Sequence, residues 1–418
     1  MKEKMTRREF VGMGGALTAG AVVAALTLRG RSSAAETGGD PWQYFTVPYW
    51  GRRVLEDPPP SLVDQERRLV LGCFKEPIRS INYLDAAIFG SGFDRLKSRL
   101  GLKEWTGYYV QHPGVCLQFG LVDAFRTLGV SQFVLYERTS KTAFSYMGIA
   151  LGKGYTLAET TWDGHTHIQA PNGYHLEYVH ELDRSRKHTV LIDMRATGRN
   201  PAIKGELVLH EDLVTIQPMV VSLPVKPCHH MYTHKVPLRV EGSLTVGERR
   251  FLFEPRRDIA IMDEHKSYYP PETYWNWATF AGYTEEGRFV GLNLTDNRTF
   301  HNQQYWNENG IWLENTLSMI GAGHFVMDPE RPMESDWRIY EEQDRVNLRF
   351  TPECQWIDNV YSLGFFNMNY YDILGTFNGY LRDNAGNKIE LRDFVGIGEK
   401  YHVWSWSRQR SQASAARR

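Results

Sequence analysis

Tyr274-Trp275-Asn276-Trp277-Ala278-Thr279-Phe280-Ala281-Gly282, followed by the acidic turn Glu285-Glu286-Gly287 and then by Arg288-Phe289-Val290-Gly291-Leu292-Asn293-Leu294, is the stretch on which the fold class turns. Two apolar, aromatic runs of strand length flank a glycine-containing turn, the pattern of neighbouring antiparallel strands. Such side chains suit a pleated, half-buried surface. The pattern recurs through Val115–Leu121, Ala143–Ala150, His188–Met194 and Val214–Val221 on one side. On the other it continues through Ile311–Met319, Val346–Phe350, Ile373–Leu381 and Lys388–Phe394. Amphipathic helix periodicity is nearly absent, and Phe93–Leu100 is its best, short instance. The expectation is an all-β chain with very little helix, built as antiparallel barrels or sandwiches packed together rather than as βαβ units. No short fixed repeat is visible, which favours two barrels over a propeller. The proline-containing segment Ser222–Pro237 sets the boundary between a first β-domain, 60–235, and a second, 236–406.

Composition narrows the function. The 418 residues carry 48 Lys+Arg against 49 Asp+Glu, a formal net charge of −1, so the basic excess that phosphate-backbone binding requires is missing and nucleic acid is not an expected partner. Aromatic residues make up 13%, enough to line an apolar cavity as well as to fill a core.

Residues 1–35 read as a twin-arginine signal peptide. Lys2 and Lys4 precede Thr6-Arg7-Arg8-Glu9-Phe10-Val11-Gly12, a weakly apolar stretch runs from Met13 to Leu28, and Ser33-Ala34-Ala35 offers the small residues of a cleavage site. Glycines and threonines interrupt that stretch, which falls short of the roughly 20 apolar residues that span a bilayer. The expected location is therefore periplasmic or secreted, with the twin-arginine export machinery as a partner and no integral membrane segment in the mature chain. Residues 36–59 form an N-terminal extension, and Ser407–Arg418 a polar, basic tail. Cys73, Cys116, Cys228 and Cys354 are widely spaced and form no CxxC pair.

The densest cluster of unusual residues runs from Asp263-Glu264-His265-Lys266-Ser267-Tyr268 through Tyr269-Pro270-Pro271-Glu272 to Trp275-Asn276-Trp277, with Glu308-Asn309-Gly310-Ile311-Trp312 downstream. On a strand, Trp275 and Trp277 share one face and Asn276 takes the other.

These segments resemble the bacterial family called domain of unknown function 2804. The resemblance rests on the W-x-W-A strand Trp275 to Ala278 with its acidic lead-in, Val290-Gly291-Leu292-Asn293-Leu294, Glu308-Asn309 with Trp312, Val346 to Phe350, and Gly375 to Leu381 with Gly396, Glu399 and Trp404. In the first half, Ile81-Asn82-Tyr83, Lys103-Glu104-Trp105 with Tyr108 and Tyr109, and Lys235 with Gly242 match as well. The likeness spans about residues 65 to 406. A more distant similarity to carotenoid hydratase and AttH-like proteins implies paired lipocalin-like barrels. It also implies acid–base hydration, isomerisation or cyclisation of apolar, often terpenoid, molecules without a cofactor.

Other chemistries find less support. Asp163-Gly164-His165-Thr166-His167 and Cys228-His229-His230-Met231-Tyr232-Thr233-His234 carry ligand types that zinc or copper prefers, but not the spacing of a strong metal motif, and no metal is expected. No G-x-S-x-G elbow, Walker A loop or strand-linked G-x-G-x-x-G occurs. The acids and bases that remain are Asp263, Glu264, Asp296, His301, Glu308, Glu314 and Glu399.

The resulting expectation is an exported, cofactor-independent enzyme of the hydratase, isomerase or cyclase type, acting on a small apolar or amphipathic molecule. A lipocalin-like carrier and a carbohydrate-active enzyme with paired carboxylates are the rivals. Asp263, desolvated by Tyr268, Trp275 and Trp277, is expected to have a raised pKa and to act as the general acid, with Glu308 or His301 as the base. Asn293 and Asn309 would orient water or a polar substrate group, and Trp312 would complete the binding surface.

Overall fold

The computed structural model describes residues 40, 42–46, 54–92, 95, 100–124, 126–213, 215–362 and 366–405. Residues 1–35, read above as a signal peptide, half of the N-terminal extension, the basic tail and most of Phe93–Leu100 lie outside the described residues. Among the described residues strand content is 60% against 3% helix, and the strands form two large curled, antiparallel, barrel-like sheets, as the turn and strand pattern predicts.

The first sheet comprises β1 (Leu55–Glu56), β2 (Gly72–Phe74), β3 (Lys103–Gln111), β4 (Val115–Ala124), β5 (Leu128–Glu137), β6 (Thr142–Leu151), β7 (Tyr155–Thr156), β8 (Gly164–Ala170), β9 (Tyr174–His180), β10 (Lys187–Met194), β11 (Ile203–His210), β12 (Met219–Lys226), β13 (His229–Val246), β14 (Arg249–Phe253) and β15 (Ile259–Tyr268). Its main path is β6-β5-β4-β3-β15-β13-β11-β10-β9-β8-β7, and it curls until β6 meets β8. The second comprises β16 (Thr273–Tyr283), β17 (Phe289–Asp296), β18 (Gly310–Leu313), β19 (Thr316–Met319), β20 (Gly323–Val326), β21 (Trp337–Glu341), β22 (Val346–Ser362), β23 (Phe366–Arg382) and β24 (Lys388–Ser405). It runs β19-β18-β17-β16-β24-β23-β22-β21-β20, and β17 returns to β20.

The change of sheet falls at Tyr269-Pro270-Pro271-Glu272, not at Ser222–Pro237. The prolines of the latter segment sit within the sheet at positions where a missing N–H costs little. Pro224 adjoins the register shift of β12, Pro227 lies in the β12–β13 turn, and Pro237 occupies the gap where β12 has stopped pairing with β13 and β11 has not begun. β13 is thus one strand with two sets of neighbours.

β13 bends at Gly242, whose φ of 125° lies in a region closed to side chains, and a Cβ there would stand 2.2 Å from the Glu206 carbonyl oxygen. Gly379 does the same for β23, with φ 132° and the Asn347 oxygen at 2.2 Å. Gly242→Ala is expected to cost about 2 kcal/mol or more of stability, seen as a lowered urea midpoint with an unchanged far-ultraviolet spectrum.

Side chains alternate across β15 and divide the interior in two. The even positions Met262, Glu264, Lys266 and Tyr268 point into the first barrel, while Ile259, Ile261, Asp263 and His265 face the second sheet. Tyr268 packs against Phe89 and His229 in the apolar plug that the segment 62–89 supplies. The second barrel is filled by Phe280, Leu292, Trp337, Phe350 and Phe377, an apolar set. The seam between the barrels buries Tyr109, Ile259 and Ile261 beside Ala281, Trp356, Leu374, Val395 and Ile397. Among the described residues no helix is long and apolar enough to cross a membrane.

Candidate active site at the seam

Strand pairing places Lys235 of β13 directly opposite Asp263 of β15, and both face the seam. Lys235 Nζ donates to Asp263 Oδ1 at 2.6 Å and stands 3.3 Å from Glu308 Oε2. His265 Nε2 lies 2.9 Å from the same Asp263 oxygen and 3.5 Å from Glu308 Oε2. Trp105 Nε1 donates to Asp263 Oδ2 at 3.1 Å, and its ring stacks on His265. Burial pushes the Asp263 carboxyl upward, but Lys235 and His265 outweigh it and hold the group well below the usual carboxylate range. Asp263 is therefore an ionised acceptor, which reverses the expectation of a stored proton. Its desolvation is legible in the sequence, but the cation 28 residues upstream is not.

A second carboxyl centre lies on the other side of the seam. Asp372 of β23 and Glu399 of β24 are cross-strand partners, and both are buried. Their hydrogen bonds come from neutral donors: Trp275 Nε1 and Glu399, Trp356 Nε1 to Asp372 Oδ1 at 2.9 Å, Gln118 Nε2 and Asp372, and the Tyr370 hydroxyl to Asp372 Oδ2 at 3.4 Å. No salt bridge joins either carboxyl to a cation among the described residues. Burial, and then repulsion from Asp372, pushes Glu399 up to about 8; burial also raises Asp372, to about 6. Two like charges on adjacent strands of a buried seam retain a proton between them.

This sets a pH dependence. Glu399 holds its proton in the folded chain and loses it in the unfolded chain between about pH 4.5 and about 8, so folding takes up a proton and stability falls as pH rises through that window. Glu399→Gln is expected to flatten that slope, measured as the melting temperature between pH 5 and pH 8 relative to the parent chain.

The aromatic wall links the two centres. Trp275 stacks on Tyr401 with centroids 3.9 Å apart, and the Trp105 and Trp275 rings are near parallel, 26° between planes and 6.5 Å between centroids. One indole binds the carboxylate and the other the carboxylic acid. Trp277 is buried with Lys235 Nζ 4.6 Å above its ring, and its Nε1 donates to Asn293 Oδ1 at 2.7 Å. Asn293 Nδ2 in turn donates to the Glu308 carbonyl at 2.5 Å, so Asn293 positions Trp277 and Glu308.

Of the expected residues, the fold gathers Asp263, Glu308, Trp275, Trp277 and Asn293. Four are placed elsewhere. His301 is exposed and packs on Trp42, with its backbone N–H on the Val225 carbonyl. Tyr268 takes the opposite face of β15. Asn309 is spent on backbone, accepting from the Thr295 N–H and donating to the Thr295 and Gly321 carbonyls. Trp312 is buried with Nε1 on the Gln217 carbonyl. Lys235, His265, Trp105 and Asp372 have no role assigned from the sequence, and Glu399 stands there among several acids.

Histidines of the two candidate metal segments bond neighbouring side chains. His188 Nε2 and His234 Nε2 approach Glu211 at 2.7 and 2.9 Å inside the first barrel, and His234 is pushed up to about 9, burial being outweighed by Glu211. His165 bonds Glu177, and His230 bonds Ser222 and Tyr83. Among the described residues no group of three or more His, Cys, Asp or Glu is arranged to hold a metal ion, and the four cysteines are not disulfide-bonded.

Fold and site together define an all-β protein of two barrel-like sheets with two buried carboxyl centres at their seam. The chain belongs to the family described as Domain of unknown function (DUF2804), whose model matches residues 55–405. No curated protein matches it. Among solved structures it is similar to an AttH-like protein of Nitrosomonas europaea, at 13% identity and TM-score 0.42, covering 72% of this chain and 92% of that one. It is also similar to kievitone hydratase of Nectria haematococca, at 10% identity and TM-score 0.40, covering 73% and 89%.

Proposed function

We propose that the chain is an enzyme that adds water to, isomerises or cyclises a small, largely apolar molecule by proton transfer at the seam. The observation that carries this reading is that two carboxyl groups of opposite protonation state, Glu399 and Asp263, are hydrogen-bonded to two neighbouring, near-parallel indoles. Environments that drive two carboxyls apart give them different roles in such a site. Glu399, neutral at physiological pH, is the general acid for an alkene carbon or a leaving oxygen. Asp263, with a fifth of its side chain exposed, accepts a hydrogen bond from water or a substrate group and holds it in place. Lys235 and His265 keep Asp263 ionised and hold Asp263 and Glu308 in place. The ring faces of Trp105 and Trp275 carry the apolar body and stabilise positive charge that develops on it. Proton transfer of this kind calls for a donor, which the chain itself supplies.

A carrier cavity would lack buried ionisable groups, so the seam favours the enzyme over the lipocalin-like carrier. Incubation of the purified chain with terpenoid and aromatic alkene libraries, followed by mass spectrometry, tests the reading: a gain or loss of 18 mass units, or an isomer resolved by chromatography, supports it. The twin-arginine motif adds the proposal that this chemistry takes place outside the cytoplasm. Fractionation of cells carrying the chain with Arg7 and Arg8 replaced by Lys tests it by retention in the cytoplasm.

A further inference from the structure

The far end of the seam holds a cavity of about 300 Å³. Ile259, Ala281 and Val395 line it; each lies four residues from Asp263, Trp277 or Glu399 on β15, β16 and β24 and therefore on the same strand face. Ile261, Thr279 and Ile397, all buried, separate it from the carboxyl centres by roughly 13 Å of strand. It is a second site, independent of the proposed reaction.

The cavity has an apolar floor and a cationic rim. Arg256, Arg257 and Arg392 line it beside the single acid Asp393. Arg257 is committed to Asp258, with two hydrogen bonds at 2.9 and 2.7 Å, and Asp393 exchanges hydrogen bonds with Asn378. The guanidinium groups of Arg256 and Arg392 make no hydrogen bond or salt bridge among the described residues, and Arg392 feels the exposed Glu286 carboxylate only through space. In the wall, Gln111 Oε1 is shut off from solvent with no hydrogen-bond donor. Half a turn of its amide would present Nε2 to the cavity instead. Two guanidinium groups with their donors free of protein hydrogen bonds, over an apolar floor, match an anionic head on a short apolar body, since guanidinium binds carboxylate or phosphate through paired, charge-assisted hydrogen bonds. The volume lies at the small end of ligand sites.

We infer that this cavity is a binding site for a small amphipathic anion, an aliphatic or aromatic molecule with one carboxylate or phosphate head that rests on Arg256 and Arg392 and a body that covers Ile259, Ala281 and Val395. Titration calorimetry of the full chain with octanoate, octyl phosphate and octan-1-ol tests it. The expected result is one-to-one binding of at least one anion, with octan-1-ol about tenfold weaker or worse. In Arg256→Gln/Arg392→Gln the affinity for that anion drops about tenfold or more, whereas Arg184→Gln, which alters an exposed arginine paired with Asp163 on the first barrel, leaves it unchanged. The tighter of the two anions identifies the head group. The site is overturned if neither anion binds saturably, if octan-1-ol binds as well as both, or if the double variant keeps the parent affinity while its circular dichroism matches that of the parent.

Discussion

Lys235→Met is expected to lower the stability of the chain by about 3–5 kcal/mol, the usual cost of removing one partner from a buried ion pair. Lys235 is nearly inaccessible, with 3% of its side chain exposed, and burial alone would lower its pKa. Asp263 and Glu308 reverse that effect and hold its pKa above the ordinary lysine value. Methionine restores the stem but leaves Asp263 and the 5%-exposed Glu308 facing each other with His265 as the nearest partner. Equilibrium urea unfolding followed by tryptophan fluorescence measures the change. A loss under about 1 kcal/mol, the range of exposed pairs, would show that the seam is hydrated and that its charges are screened. Asp263→Asn should be destabilising in the same direction, because it leaves Lys235 with Glu308 alone at the seam.

Glu399→Gln has the opposite balance of effects. Glu399 is neutral when folded, so the amide is close to an isostere in charge and shape, and the variant is expected to fold as the parent does. What it loses is the proton. Once a reaction has been found, its turnover is expected to fall about a hundredfold or more, the usual contribution of a positioned general acid, with little change in KM. In the parent the rate should decline as pH rises through about 8, because the acid form is consumed there. Parental turnover in the Glu399→Gln variant would remove Glu399 from the mechanism, and a decline centred instead on the ordinary carboxyl range would place the donor elsewhere.

The fold and the site differ in how much of each the residue pattern discloses. The strand runs around Tyr274–Gly282 and Arg288–Leu294 form β16 and β17, paired in antiparallel register across the Glu285-Glu286-Gly287 turn. The period of two sets Trp275 and Trp277 on one face, and the two tryptophans do share the seam. Pro224, Pro227 and Pro237 mislead the boundary because proline reads as a break in sequence, yet a strand tolerates it wherever its N–H has no neighbour to meet. That condition depends on where β11 and β12 start and stop, which is a property of the sheet.

The sequence by itself determined the all-β class, the aromatic strand and the presence of an acidic group beside it, since these follow from side-chain period and turn chemistry within a few residues of one another. Tertiary structure alone decided the protonation states. Asp263 faces Lys235 across 28 residues, Glu399 faces Asp372 across β23 and β24, and Gln118 reaches Asp372 from the other barrel. The charge on a carboxyl depends on what stands within a few ångströms of it in a buried seam, and those neighbours arrive from strands far apart in the chain.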